Sequence, residues 1–211
     1  MRQLTVLLLT CALTAPFSAT AQEISNYVPA QTFTLDPAHS TVVFRVNHMG
    51  LSTFSSGFDK VTASLTLDPE NPTAAQLSVQ IDPASIDLPS PAPEGFMDML
   101  MSDMLFDAVA FPEITYVSDS ITLTGETTAT IAGTLTLHGV SQPVTLEATF
   151  NGGYGQQPFE PNARIGFSAT GELSRSAFGM GFGVPAPGTT IGVGDMVTFH
   201  IETEWIGPLM Q

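Results

Sequence analysis

Cysteine is almost missing from this chain. The single one, Cys11, lies inside an apolar N-terminal stretch, so no disulfide and no thiolate metal site can form beyond it. Positive charge is nearly as scarce. Five Lys and Arg stand against twenty Asp and Glu, a formal net charge of −15. Such a surface repels the phosphate backbone of nucleic acids, which excludes them as partners, and limits any contact with an anionic membrane to a transient one. Apart from the N-terminus, no apolar run approaches the roughly 20 residues that span a bilayer. Chemistry-bearing motifs are absent as well: there is no nucleophile elbow, HExxH, phosphate loop or dinucleotide fingerprint. The acids show no spacing that suggests acid–base work, so the reading is a binding protein without cofactor, not an enzyme. Four separated histidines, His39, His48, His138 and His200, do not offer the three or four converging ligands of a metal site.

What is present begins with export signals. Arg2, the apolar core Leu4–Thr10 and the small-x-small signal Ala19-Thr20-Ala21 read as a cleaved signal peptide over residues 1–21, which implies a periplasmic location. Thr10 before Cys11, and the shortness of the leader, argue against lipidation of that cysteine. Residues 22–31 read as a linker and 32–207 as one domain. Charged residues make up only 12% of the chain, while Thr, Ser, Gly and Pro abound, a balance typical of exported β-proteins and not of disordered tails.

The domain is organised around 131–150, IAGTLTLHGVSQPVTLEATF. Ile131, Leu135 and Leu137 occupy odd positions; Val144, Leu146, Ala148 and Phe150 occupy even ones. Each arm therefore has one wet and one buried face. An antiparallel hairpin with its tip near Gly139-Val140 or Val140-Ser141 puts both apolar sets on the same face. The same alternation recurs at Thr41–His48, Gly57–Asp68, 77–81, Ile114–Leu123, Ala163–Leu173 and Asp195–Ile206, and a short strand opens the domain at Phe33. A break in parity near Ser118–Ser120 predicts a β-bulge. Met49–Ser56 reads as a turn, and Ser174–Gly194 as a long, hydrophobic, Gly/Pro-rich loop of the kind that is usually functional. Only Gly95–Phe106, with FMDMLMSDMLF, breaks the rhythm, as a helix of about three turns.

About eight strands with one apolar face each, and too little helix to cover a flat sheet, predict an all-β fold. An eight-stranded antiparallel barrel with one short helix buries every apolar face and removes both edges; a sandwich also satisfies the alternation. A barrel of this size is either filled by side chains or holds one small ligand. The small inward residues Ala63, Gly133, Ala148, Ala169 and Gly171 favour a tunnel. Its expected lining is Phe44, Val46, His48, Val61, Leu65, Val79, Leu135, Leu146, Phe167, Phe199 and Ile201, with Met97, Leu100 and Met104 from the helix and Arg175 and Phe178 from the loop. Methionine is unbranched and adaptable, and suits permissive apolar surfaces.

A set of ordered motifs runs across Phe33–Trp205. They are Leu35-Asp36-x-x-His39-Ser40, Phe44-x-Val46-x-His48-Met49-Gly50, Gly57-Phe58, Ala84-Ser85-Ile86-Asp87, Leu100-x-Ser102 with Phe106-Asp107, Phe111-Pro112-x-Ile114, Gly133-x-Leu135-Thr136-Leu137-His138-Gly139-Val140-x-x-Pro143-Val144, and Arg175-Ser176-x-Phe178-Gly179. With these the chain resembles the YceI-like family of exported lipid-binding proteins. The resemblance implies a lipocalin-like barrel whose interior takes an apolar lipid, a polyisoprenoid or an isoprenoid quinone. In one place the chain departs from the family: Phe96-Met97-Asp98-Met99 stands where members often carry Arg-Asp-x-His, which implies a more apolar mouth.

Among single residues, His39 is expected to hydrogen-bond Asp36 and lock the first turn. His48 is expected either to meet a ligand's polar head or to be buried against backbone, and His138 and His200 to lie on the surface. Arg175 is expected either to grip a polar head bidentately or to pair with an acid. A packed envelope module without a small ligand, and a redox partner that binds quinone, remain as alternatives. A homodimer is compatible with the sequence.

Overall fold

The computed structural model describes residues 28–209. The expected signal peptide, 1–21, and most of the expected 22–31 linker lie outside them. Within them the strands are β1 (Gln31–Leu35), β2 (Thr41–His48), β3 (Ser52–Phe58), β4 (Val61–Leu67), β5 (Gln76–Ile81), β6 (Ile86–Asp87), β7 (Ile114–Leu123), β8 (Thr128–Leu137), β9 (Val140–Tyr154), β10 (Asn162–Ser174) and β11 (Val193–Leu209), with one helix, α1 (Phe96–Met101).

Eight of these close a ring in the order β1-β4-β5-β7-β8-β9-β10-β11. The seam pairs Thr34 with Ile206 and Leu35 with Trp205. β11 is long enough to serve two partners along one edge. Beyond the β1 seam it continues against β2, with Ile201 opposite Val42 and Val197 opposite Val46. β2 carries β3, and β3 carries β6, as a flap at that end. The all-β barrel with a single short helix is therefore the observed architecture, and the sandwich is set aside.

The β8–β9 hairpin turns at His138-Gly139, with Leu137 facing Val140. Both turn residues have positive φ, 51° and 72°, as a two-residue turn matched to strand twist requires. The tip thus lies one position earlier than the alternation suggested, with the shared apolar face preserved. The bulge at Ser118/Ser120 is present; Asp119 takes a hydrogen bond from Thr134 Oγ1 at 3.0 Å.

Three expectations are corrected. The turn expected over Met49–Ser56 is confined to its first residues, with Met49 and Gly50 at positive φ, and β3 starts at Ser52. The single strand expected over Gly57–Asp68 breaks at Asp59-Lys60. There the Asp59 and Lys60 amides donate to Ser85 O and Oγ, so β3 serves the flap and β4 the ring. The three-turn helix shrinks to Phe96–Met101, because the Ser102 hydroxyl donates to Met99 O at 2.7 Å and the chain continues in turns through Asp107 at φ 45°.

Candidate functional site

Every ring strand turns one face inward, and those faces enclose a cavity of about 1330 Å³ whose lining is overwhelmingly apolar. It exceeds the roughly 300–1,000 Å³ of ordinary small-molecule sites, so the interior is open and not packed solid. The lining extends from a helix end, with His48, Phe54, Phe96, Leu100 and Phe182, to an opposite end with Asp68, Glu70, Glu126 and Gly152.

Small residues and two flattened rings keep the lumen wide. Ala129, Ala148 and Ala169 sit opposite one another on β8, β9 and β10, a row of methyl groups facing the void. Tyr116 lies across Gly133; a Cβ there would fall 2.5 Å from the Tyr116 hydroxyl oxygen and 2.6 Å from Val117 O. Its hydroxyl reaches Ile131 O at 3.1 Å and Val144 O at 3.3 Å, so the polar tip is spent on the wall. Burial, aided by nearby Asp119, pushes this phenol up to about 12, which keeps it a donor. Phe199 lies over Gly171 in the same way.

At the helix end the wall is aromatic. Phe96 packs on Phe54, Phe54 on Phe44, Phe44 on Phe58 and Phe58 on Phe106, with centroids 5.6–6.3 Å apart, within the favourable range for ring pairs. This chain of rings ties the β2–β3–β6 flap to α1 and the turn after it, and all five line the cavity.

Of the expected lining, Phe44, Val46, His48, Val61, Leu65, Val79, Leu100, Leu135, Leu146, Phe167, Arg175, Phe199 and Ile201 bound the cavity. Met97, Met104 and Phe178 do not, and this corrects the expectation for them. On α1, Phe96, Met99 and Leu100 follow i, i+3, i+4 spacing and face the barrel, which turns Met97 to solvent. Met104 lies past the shortened helix and is exposed, while Phe178 is fully buried in the packed cluster of Ile114, Leu137 and Met180.

Arg175 opens a 3₁₀ turn, Arg175–Phe178, and is buried. Nε donates to Gly194 O (2.9 Å), Nη1 to Met180 O (2.6 Å) and Phe182 O (2.8 Å), and Nη2 to Val193 O (2.7 Å). Four of the five N–H groups of the fork thus hold the 179–194 loop, and among the described residues Arg175 makes no ion pair. Burial lowers its pKa, opposed by the charge of Asp195. Burial acts to raise the Asp195 carboxyl, but donors from Ser174 and Ser176 hold it below its ordinary value.

The histidines divide. His48 is exposed at the rim and His200 on the outer face. His138 is half-buried, contrary to the surface position expected: Nδ1 donates to Phe178 O at 3.1 Å and its ring meets Phe111 edge-on. His39 Nδ1 donates to Asp36 at 2.9 Å as expected. The structure adds Arg164, whose Nη1 lies 2.6 Å from Asp36 and 3.4 Å from Glu204, and whose Nε meets Glu160 at 2.9 Å. Arg164 and then His39 hold the Asp36 carboxyl down to about 2, while Asp36 raises His39. Asp36, His39 and Glu204 are close enough to ligate an ion, but the guanidinium already occupies that position.

A family model, the YceI-like domain, matches residues 33–205. The chain belongs to the YceI-like family. It is 38% identical to a UPF0312 protein of Pseudomonas putida (strain W619) over 152 residues, 72% of this chain and 74% of that one. Among solved structures, BcnA of Burkholderia cenocepacia is similar at a TM-score of 0.68 and 25% identity, covering 81% of this chain and 98% of BcnA. A polyisoprenoid binding domain from Saccharophagus degradans, implicated in plant cell wall breakdown, shares the fold at a TM-score of 0.58 and 14% identity, with 83% and 98% covered.

Sequence reasoning missed Phe54, Phe58, Phe96, Phe106 and Met99 as lining. Phe54 sat in a stretch read as turn. Phe58 and Phe106 carried a signal only in their aromatic character, and Phe96 and Met99 only in standing where the family often carries charge, since no periodicity marks a wall assembled from a flap and a helix.

Proposed function

We propose that the barrel takes up one long, apolar lipid, a polyisoprenoid or an isoprenoid quinone, and carries or stores it in the aqueous periplasm. The observation that carries this reading is the cavity itself: continuous, apolar and larger than a compact ligand needs. The family, and the fold shared with a polyisoprenoid binding domain, support binding over catalysis.

The energetics favour a carrier. A tail of about forty carbons leaving water would gain roughly 30 kcal/mol at about 0.8 kcal/mol per methylene, beyond any non-covalent affinity. Such a lipid starts in a bilayer, however, so transfer into an apolar barrel is nearly balanced, and the protein can both load and unload.

The test is an organic extract of the purified chain analysed by mass spectrometry. The expected result is one isoprenoid class in near-equimolar amount. A lipid-free extract, together with no uptake of added isoprenoid quinone, would overturn the proposal.

A further inference from the structure

We infer that the helix end docks on a neutral lipid surface, through the β2–β3 turn and the 179–194 loop. This chain has a net charge of −15, yet neither Val46–Phe58 nor Gly179–Gly194 contains a single Asp, Glu, Lys or Arg. At their tips Leu51 is 87% exposed, Ile191 77% and Phe182 50%. The two segments are tied together, with the Met49 amide donating to Gly192 O at 2.7 Å and the Gly192 amide to Met49 Sδ. They adjoin the mouth: His48, Phe182, Gly183 and Val193 also line the cavity.

Position selects a bilayer over a protein partner, since the two charge-free segments border the mouth through which a bilayer-borne lipid passes on the lipid-carrier reading. Backbone that enters the hydrocarbon region must satisfy its polar groups internally, whereas backbone at the headgroup level stays hydrated. Here Arg175 takes up the carbonyls of Met180, Phe182, Val193 and Gly194 from beneath. The Gly50, Leu51, Ile191 and Val193 amides are bonded within the two segments or to their flanks, and Pro185 and Pro187 have no N–H to satisfy. The amides of Gly181, Phe182, Gly183, Ala186, Gly188 and Thr190 have no acceptor among the described residues, so the loop rests at the hydrated interface and inserts side chains only. The exposed acids Glu94, Asp98 and Asp103 stand near α1, and with the overall charge they select against anionic lipid.

The docking draws its purpose from the lipid-carrier reading but is tested apart from it. The full chain and its Leu51→Glu/Ile191→Glu variant are floated with phosphatidylcholine vesicles, and with vesicles containing added phosphatidylglycerol. Both forms share residues 1–27, so any contribution from these cancels. The expected result is flotation of the parent with phosphatidylcholine, weaker flotation with the anionic vesicles, and a loss of about tenfold or more in the variant. A Leu51→Trp form gives a second readout, a blue shift of its added emission on mixing with phosphatidylcholine, since Trp205 is buried at the other end. Equal flotation of parent and variant, or no blue shift, overturns the inference. So does a gel-filtration profile in which the double variant only converts a dimer to monomer. An organic extract of the same two proteins separates the claims: equal lipid content with lost flotation leaves both standing, whereas lipid present with unchanged flotation removes only the docking.

Discussion

Arg175 shows how a motif residue can have a role that its chemistry alone does not suggest. A scarce cation beside an apolar cavity invites a head-group role, yet its fork is committed to backbone carbonyls of the loop. Arg175→Ala should therefore cost about 3 kcal/mol by orphaning those carbonyls. Arg175→Lys should fail to restore it, because a point ammonium cannot match the fork. Urea unfolding and limited proteolysis within 179–194 check both. The Asp36 cluster makes a second prediction at this scale. Asp36 has a folded pKa of about 2 against an ordinary 3.8, so its stabilisation is complete above about pH 4 and is lost as pH falls toward 2. His39 is raised above its ordinary 6.5, so its part is complete below that value and fades as pH rises through the folded pKa. Melting temperature against pH should peak between these limits. Asp36→Asn should lower stability by about 2 kcal/mol at pH 6, with the gap closing near pH 2.

At the scale of elements, the wall depends on rings that lie flat. Tyr116 and Phe199 are accommodated because β8 and β10 carry glycine opposite them. Gly133→Ala puts a methyl where the Tyr116 ring and Val117 O already sit, and the ring must tilt into the lumen. The expected cost is about 1–3 kcal/mol, with reduced lipid content. A Gly133→Ala/Tyr116→Leu pair should recover part of it. Denaturant melts of the single and double variants test the coupling. The helix offers the converse lesson: six residues suffice because α1 only supplies Phe96, Met99 and Leu100 to a mouth whose other rings come from the flap and from Phe106 in the turn that follows.

On the scale of the whole molecule, the cavity is a property of closure. The alanine row on β8, β9 and β10 leaves room that no single strand defines. Ala148→Phe/Ala169→Phe should fill it. Bound lipid in the organic extract is expected to fall several-fold, while the melting temperature stays level or rises, because new side chains enter a void and not a packed core. A lower melting temperature with unchanged lipid would mean that the row faces packed protein.

Alternation along the chain was enough to assign which residues of Thr41–His48, 135–150 and Asp195–Ile206 turn inward, because a strand's side-chain period is local and exact in two. The bulge at Ser118/Ser120, the apolar face of the central hairpin and the Asp36–His39 contact follow from the same short range. What only the folded chain decided is who meets whom. Thr34 closes on Ile206, Arg164 finds Asp36, and Phe54 and Phe96 complete a mouth from opposite sides. Period two names a face but never a partner across the barrel, and an arginine's role depends on which carbonyls the closed ring brings within its reach.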